Sequence, residues 1–320
     1  MLSINRVSDS REWCFSSYHA RWNNRPGWSV CRSATIGSSV PVLHDPIAFS
    51  LFGLSIRWYA VFILTGIIVS LIEMRWLAEQ RRMDPEFPLD AAPIVIVAAI
   101  IGARFYYILL RWNDYSADPG AALNIRLGGL TIHGALLAGT LAFLWYCRRR
   151  QQRFFAWVDI VIAVVPIGQA IGRWGNWANQ EAFGTPTDLP WAVHIDPEHR
   201  PPSYAANSTF HPTFLYECIL NLIIATILIW LVLRMRTDRR YREGDALWIY
   251  LILYGIIRFI IESDRTDSLK IGPWPAAYWF SVGFILLGSA MLVVRRTIWP
   301  GRRVADEYRQ TISFTGVTND

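Results

Sequence analysis

The chain has 320 residues, of which 53% are hydrophobic and only 18% charged, with a formal net charge of +6. A soluble domain of this length normally carries more charge, and sixteen tryptophans suit a protein that meets the membrane–water interface repeatedly. The positive excess needs no nucleic-acid partner, because most of it sits in arginine clusters between apolar runs, where it meets anionic headgroups.

Residues 1–45 hold Ser, Asn, Arg and scattered Trp, with no apolar run long enough for a signal peptide or a span. They read as a disordered extension, or as the product of a start codon placed too early. A bilayer span needs about 20 mostly apolar residues. Seven runs approach that length: Ile56–Leu77, Ala91–Leu110, Gly129–Cys147, Phe154–Ile171, Thr213–Leu233, Ala246–Ile261 and Ala276–Val294. Backbone groups in lipid must be satisfied internally, so the spans are expected to be helices. The predicted fold is all-α: a polytopic membrane domain over 46–296 with about seven transmembrane helices. A small outward-facing loop subdomain is expected at about 172–212, and a cytoplasmic tail over 297–320 that is polar and mobile from about Pro300.

Arginines cluster after the first span (Arg75, Arg81, Arg82), between the third and fourth (Arg148, Arg149, Arg150, Arg153), between the fifth and sixth (Arg234, Arg236, Arg239, Arg240, Arg242) and after the seventh (Arg295, Arg296, Arg302, Arg303). With seven spans all four clusters share one side, which the positive-inside rule makes cytoplasmic. The N-terminus and the loops at 111–128, 172–212 and 262–275 then lie outside. The arginines of the N-terminal extension run against this rule, but long tails obey it poorly.

Polar residues in and beside the spans carry the functional signal. Arg57-Trp58-Tyr59 at the outer edge of the first span reads first as an aromatic belt with an anchoring arginine. Arg104, within the second run, must be paired or reach water. His133 enters the third run beside Gly129 and Gly134; it either hydrogen-bonds a neighbouring helix or accepts a proton at neutral pH. A thiol is a suitable donor for such a base. The segment Gly172-Arg173-Trp174-Gly175-Asn176-Trp177-Ala178-Asn179-Gln180-Glu181-Ala182-Phe183-Gly184 follows the fourth run directly. Polar groups there bind something or bind each other, and an arginine at that depth points to a phosphate or a carboxylate. The proline-rich outer loop ends in His211-Pro212-Thr213-Phe214-Leu215-Tyr216-Glu217, where His211 is either a second contributor or an interfacial hydrogen bonder. Arg258 and Glu262 are four apart and can pair on one helix face, though Arg258 can also face the cavity of Arg173. Cys14, Cys31, Cys147 and Cys218 show no metal-like spacing, and there is no internal repeat of fixed period.

These motifs resemble the bacterial prolipoprotein diacylglyceryl transferases from about Ile56 to Val294. Residues 172–184 look like that family's signature. Gly102-Ala103-Arg104, His133-Gly134, His211-Pro212, Leu215-Tyr216-Glu217, Arg258 with Glu262, and Arg265-Thr266-Asp267-Ser268-Leu269 support it. The resemblance implies transfer of a diacylglyceryl group from phosphatidylglycerol to the lipobox cysteine of a preprolipoprotein, giving a thioether and glycerol phosphate, at the bacterial inner membrane. No metal or cofactor is implied. The cysteine must become a thiolate and the charge on the leaving phosphate must be met by fixed cations. Arg173 and Arg258 are the expected phosphate clamps and His133 the expected base. Asn176 and Glu181 are assigned to headgroup hydroxyls and to orienting Arg173. Tyr59, Arg104, Glu262 and His211 are expected substrate contacts. The chain departs from the family pattern at Ala135, where a second glycine is usual, and at Pro275-Ala276-Ala277-Tyr278, where many members place a glutamine. The competing readings are a non-catalytic binder of phospholipid or lipoprotein precursors and an anionic-lipid transporter.

Overall fold

The computed structural model describes residues 46–51, 54–115, 129–266, 268–299 and 301–306. The expected N-terminal extension lies outside them, as do most of the 111–128 loop and the tail beyond 306.

Seven long helices follow the seven apolar runs: α1 (Trp58–Gln80), α2 (Phe87–Leu110), α4 (Ile132–Arg149), α5 (Phe154–Ala178), α6 (Thr213–Arg234), α7 (Asp245–Glu262) and α8 (Ala276–Thr297), with a one-turn α3 (Trp112–Tyr115) after α2. Among the described residues five, α1, α2, α5, α6 and α8, are long and apolar enough to cross a membrane. The other two, α4 and α7, have 18 residues each. Arg148 and Arg149 end α4, and α7 holds Asp245, Arg258 and Glu262. The protein is thus a helical membrane protein. The all-α expectation omitted three short antiparallel pairs: β1–β2 (Ile47–Leu51 with Leu54–Arg57), β3–β4 (Val193–His194 with Thr209–Phe210) and β5–β6 (Lys270–Ile271 with Trp274–Pro275). They lie before α1, in the loop between α5 and α6, and between α7 and α8. Strands this short have no hydrophobic periodicity to reveal them.

The bundle is built around α5, which packs on α1, α6 and α7, while α2 pairs with α4 and α7 with α8. Half of the apolar window of α5 is buried inside the protein, against 11% in α1, α2 and α8. Their remaining apolar surface, including Leu64, Ile72, Ile101 and Leu286, is exposed and suits hydrocarbon rather than water. The core joins Leu77 and Ala78 of α1, Phe87 of α2, Trp157, Ile160 and Val164 of α5, and Leu228 and Val232 of α6. Phe87 stacks on Trp157 with ring centroids 4.4 Å apart. Where α2 crosses α4, a Cβ on Gly134 would fall 2.2 Å from the Gly102 carbonyl oxygen, so glycine is required for that close approach.

One end of α5 holds a closed ionic centre that the sequence reading did not single out. Asp159 is fully buried. It accepts the N–H groups of Gly244 (2.9 Å) and Ala246 (3.1 Å) at the start of α7, and Arg81 of α1 lies 3.6 Å away. The equally buried Asp245 pairs with Arg296 of α8 at 2.8 Å. A carboxylate inside an apolar run has to find such partners. The described start of the tail belongs to this end. Val304 and Ala305 are buried, and the Glu243 N–H donates to the Arg302 carbonyl at 3.0 Å. The expected mobility from residue 300 therefore does not begin there.

Candidate active site

At the opposite end of α5 the helix does not stop at Ile171. It runs through Ala178, so Arg173 and Asn176 are helical residues one turn apart and not part of a loop after the span. Arg173 Nη1 donates to Asn176 Oδ1 at 3.5 Å. The chain then turns back sharply. Gln180 (φ 51°) and Ala182 (φ 56°) both adopt left-handed backbone, a strained choice for residues with a Cβ. The turn presents Glu181 to the end of its own helix, where its Oε1 accepts from Asn176 Nδ2 (3.0 Å) and Asn179 Nδ2 (3.2 Å). Gln180 fixes the turn from the other side: its amide donates to Asp196 Oδ2 at 2.7 Å and its carbonyl accepts the Asp196 N–H at 2.8 Å. Asn176 and Glu181 also line a small cavity walled by Trp177, Phe183 and Phe214.

The centre of the site is Glu217, one turn into α6 and 3% exposed. Its carboxylate gathers three arginines from three segments. Arg173 of α5 pairs with Oε2 through Nη2; Arg265, just after α7, lies 3.1 Å from Oε1; and Arg258 of α7 lies 3.7 Å from it. Arg258 also pairs with Glu262 at 2.7 Å, as the four-residue spacing predicts. The glutamate side chains are 5% and 1% exposed, whereas those of Arg173, Arg258 and Arg265 are 21%, 23% and 12% exposed. The carboxylates therefore lie deeper in the protein than the arginine side chains that pair with them. An anion approaching this end meets cations first.

The loop between α5 and α6 folds over this end as a cap. Phe183, Val193, Ile195, Phe210 and Phe214 form its own small core. Gly184 bridges to Arg265, and the Thr266 hydroxyl donates to the Phe183 carbonyl at 3.4 Å. His211 sits at the base of the cap with Nδ1 3.2 Å from the Tyr216 hydroxyl, which accepts from Trp191 Nε1 at 2.9 Å. Tyr59 of α1 lies against Gly175, where a Cβ would come within 2.5 Å of the ring. Tyr59 is exposed, and the Gly175 it packs on directly precedes Asn176.

Two of the expected residues stand apart from the arginine cluster, on the α2–α4 pair. Arg104 is buried, donates from Nη1 to the Gly129 carbonyl at 3.2 Å, and lies over the rings of Tyr115 (5.5 Å) and Tyr107 (5.8 Å). His133 is exposed, with its ring 6.3 Å from that of Tyr106. It has no hydrogen bond or ion pair among the described residues. The structure thus brings Arg173, Asn176, Glu181, Arg258 and Glu262 together, with Tyr59 and His211 at the margin. It leaves His133 and Arg104 on a neighbouring wall. Glu217 and Arg265 were not among the expected site residues. The available signal was a carboxylate one turn into an apolar helix, which demands a cation.

The family model for prolipoprotein diacylglyceryl transferases matches residues 46–294. The chain is similar to proteins named phosphatidylglycerol–prolipoprotein diacylglyceryl transferase in several bacteria. It is 42% identical to that of Synechococcus elongatus over 241 residues, covering 75% of this chain and 83% of the relative. It is 40% identical to that of Trichormus variabilis over 248 residues, covering 77% and 88%. It is 37% identical to that of Finegoldia magna over 249 residues, covering 78% and 95%.

Proposed function

Because the chain belongs to the prolipoprotein diacylglyceryl transferase family, we propose that its arginine cluster is the seat of that family's reaction. The protein is a transferase that carries out the first step of lipoprotein lipidation. The observation that carries the site reading is the convergence of Arg173, Arg258 and Arg265 on the Glu217 carboxylate, with arginine side chains more exposed than the carboxylate behind them.

In this reading phosphatidylglycerol binds with its phosphate against Arg173 and Arg258. The thiolate of the substrate's lipobox cysteine attacks the glyceryl carbon that bears the phosphate ester. The S–C bond forms as the C–O bond breaks, and the electron pair leaves on the phosphate oxygen as glycerol phosphate. Cations already fixed by Glu217 and Glu262 meet that charge without reorganising, which is the condition for electrostatic stabilisation of the transition state. Asn176 and Glu181, held by the strained turn, bind headgroup hydroxyls and keep Arg173 in register. His133, exposed on the α2–α4 wall, takes the thiol proton. Tyr59 and His211 contact lipid or peptide at the rim, and Arg104 holds the wall beside them.

The same reading places the protein in the bacterial cytoplasmic membrane with the N-terminus outside, the C-terminus in the cytoplasm and the site towards the outer leaflet. It is supported by the segregation of charge. Arg81, Arg153, Arg242 and Arg296 join the closed centre or its rim at one end of α5, and the site occupies the other.

The test is transfer in vitro. Purified protein is mixed with phosphatidylglycerol and a lipobox peptide, and the peptide cysteine is read by mass spectrometry. A diacylglyceryl adduct that disappears with Arg173→Ala is the expected result. Folded, lipid-bound protein that forms no adduct would point to binding or transport instead.

A further inference from the structure

We infer that Glu217 lowers the positive charge of the phosphate site, so that the doubly charged product is held far less tightly than the arginines alone would hold it. This rests on the reading of the arginine cluster as the phosphate site.

A buried carboxylate that only anchored one arginine would need one partner. Glu217 takes three, from α5, α7 and the segment after α7, and lies behind them at 5% side-chain exposure. Glu262 already serves as a partner for Arg258. A second carboxylate at the focus of the guanidinium groups therefore does more than hold one side chain. It positions three cations at one point, and it subtracts one charge from the field they present to an incoming anion.

That subtraction bears unequally on substrate and product. A phosphodiester carries one negative charge, while a free phosphate monoester carries close to two near neutral pH. Coulomb energy is linear in the ligand's charge. Removing the Glu217 charge must then strengthen dianion binding by about twice the free energy gained by a monoanion, so the fold-change for the dianion is the square of that for the monoanion. Without Glu217 the cluster would grip glycerol phosphate after each turnover. Glu217 touches the arginines and not the reacting atoms, so it is a positioning residue.

The experiment compares two soluble headgroup probes as inhibitors of transfer at pH 8: glycerophosphoglycerol, with one charge, and glycerol phosphate, with two. In the parent the ratio of inhibition by glycerol phosphate to that by glycerophosphoglycerol should be about tenfold smaller than in Glu217→Gln. In Glu217→Gln, which keeps the side chain's shape, glycerophosphoglycerol should bind about tenfold more tightly and glycerol phosphate about a hundredfold. Turnover should fall, because product leaves slowly. Glu217→Asp, which keeps the charge, should retain the parent's order of preference. Equal tightening of both probes in Glu217→Gln, or no tightening, would overturn the inference. If Glu217→Gln does not fold, inhibition of the parent more than about a hundredfold stronger by the dianion than by the monoanion would overturn it alone. Arg173→Gln separates the two layers: if it leaves inhibition by both probes unchanged, the phosphate-site reading fails and takes this inference with it.

Discussion

Replacing Arg173 with alanine probes the proposed chemistry at the arginine nearest the strained turn in the chain. Arg173 is the one cation on the helix that also carries Asn176, and it contributes a guanidinium that is 21% exposed against a carboxylate that is 5% exposed. Removing one fixed donor from a transition-state anion site lowers turnover by about 100- to 1000-fold, or ~2.7–4 kcal/mol. The fold should survive. Orphaning a buried charge costs ~3–5 kcal/mol, but Glu217 keeps Arg265 at 3.1 Å and Arg258 at 3.7 Å. The expected loss of stability is therefore about 1.5–3 kcal/mol, in the range of one charged hydrogen bond. Initial rates of thioether formation on a lipobox peptide measure the first quantity, and thermal unfolding in detergent the second. Arg173→Lys, which keeps the charge and loses the planar fork, should fall between the parent and the alanine variant. Activity of Arg173→Ala within about threefold of the parent, less than 1 kcal/mol of barrier, would remove this residue from the mechanism. A collapse of stability matching the loss of activity would make its role structural.

His133→Gln should slow transfer at pH 7 and show recovery as pH rises. Without the base the reaction depends on spontaneous thiolate, which grows about tenfold per pH unit below the thiol pKa of ~8.5. A variant whose rate does not climb between pH 6.5 and 8 relative to the parent would mean that His133 is not the base. Asp159→Ala should act in the opposite manner. It strips the partner from buried Arg81 and from the N–H groups of Gly244 and Ala246, a loss of about 3–5 kcal/mol. The melting temperature should drop sharply while transfer per folded molecule stays near that of the parent; an unaltered melting curve would refute the role given to that centre.

How much of this was legible depended on whether a signal was local. The helices were, because an apolar run has few alternatives in lipid, and α6 and α8 begin at the expected residues. The Arg258–Glu262 pair was also local, being four residues apart. The end of α5 was missed because polar residues were taken to close the span, whereas Arg173 and Asn176 face the cluster and let the helix run on to Ala178. The strained turn at Gln180 and Ala182 was invisible, since neither residue favours left-handed backbone. Glu217, Arg265 and Asp159 were the costliest omissions. Each acts through partners distant in sequence: Arg173 and Glu217 are 44 positions apart, and Asp159 and Gly244 are 85 apart. A single chain says that a buried carboxylate needs a cation, but not which one.

The two ionic centres on α5 show why one end is the site and the other is not. Around Asp159 the acceptors are filled by backbone N–H groups at the start of α7, and the Arg81 and Asp159 side chains are 1% and 0% exposed. That centre is closed: every charge is spent on joining α1, α5 and α7, and a ligand has no way in. Among the described residues the Glu217 carboxylate is met by side chains alone. These arginine side chains are partly exposed beneath a cap fastened through Gln180 and Thr266. Long cationic side chains held at one point and open on one side can exchange a carboxylate for a phosphate with little movement of the backbone. The Asp159 centre, built on helix N–H groups, can do so only by undocking a helix. The difference in construction, rather than the number of charges, separates the proposed reaction site from the joint that holds the bundle together.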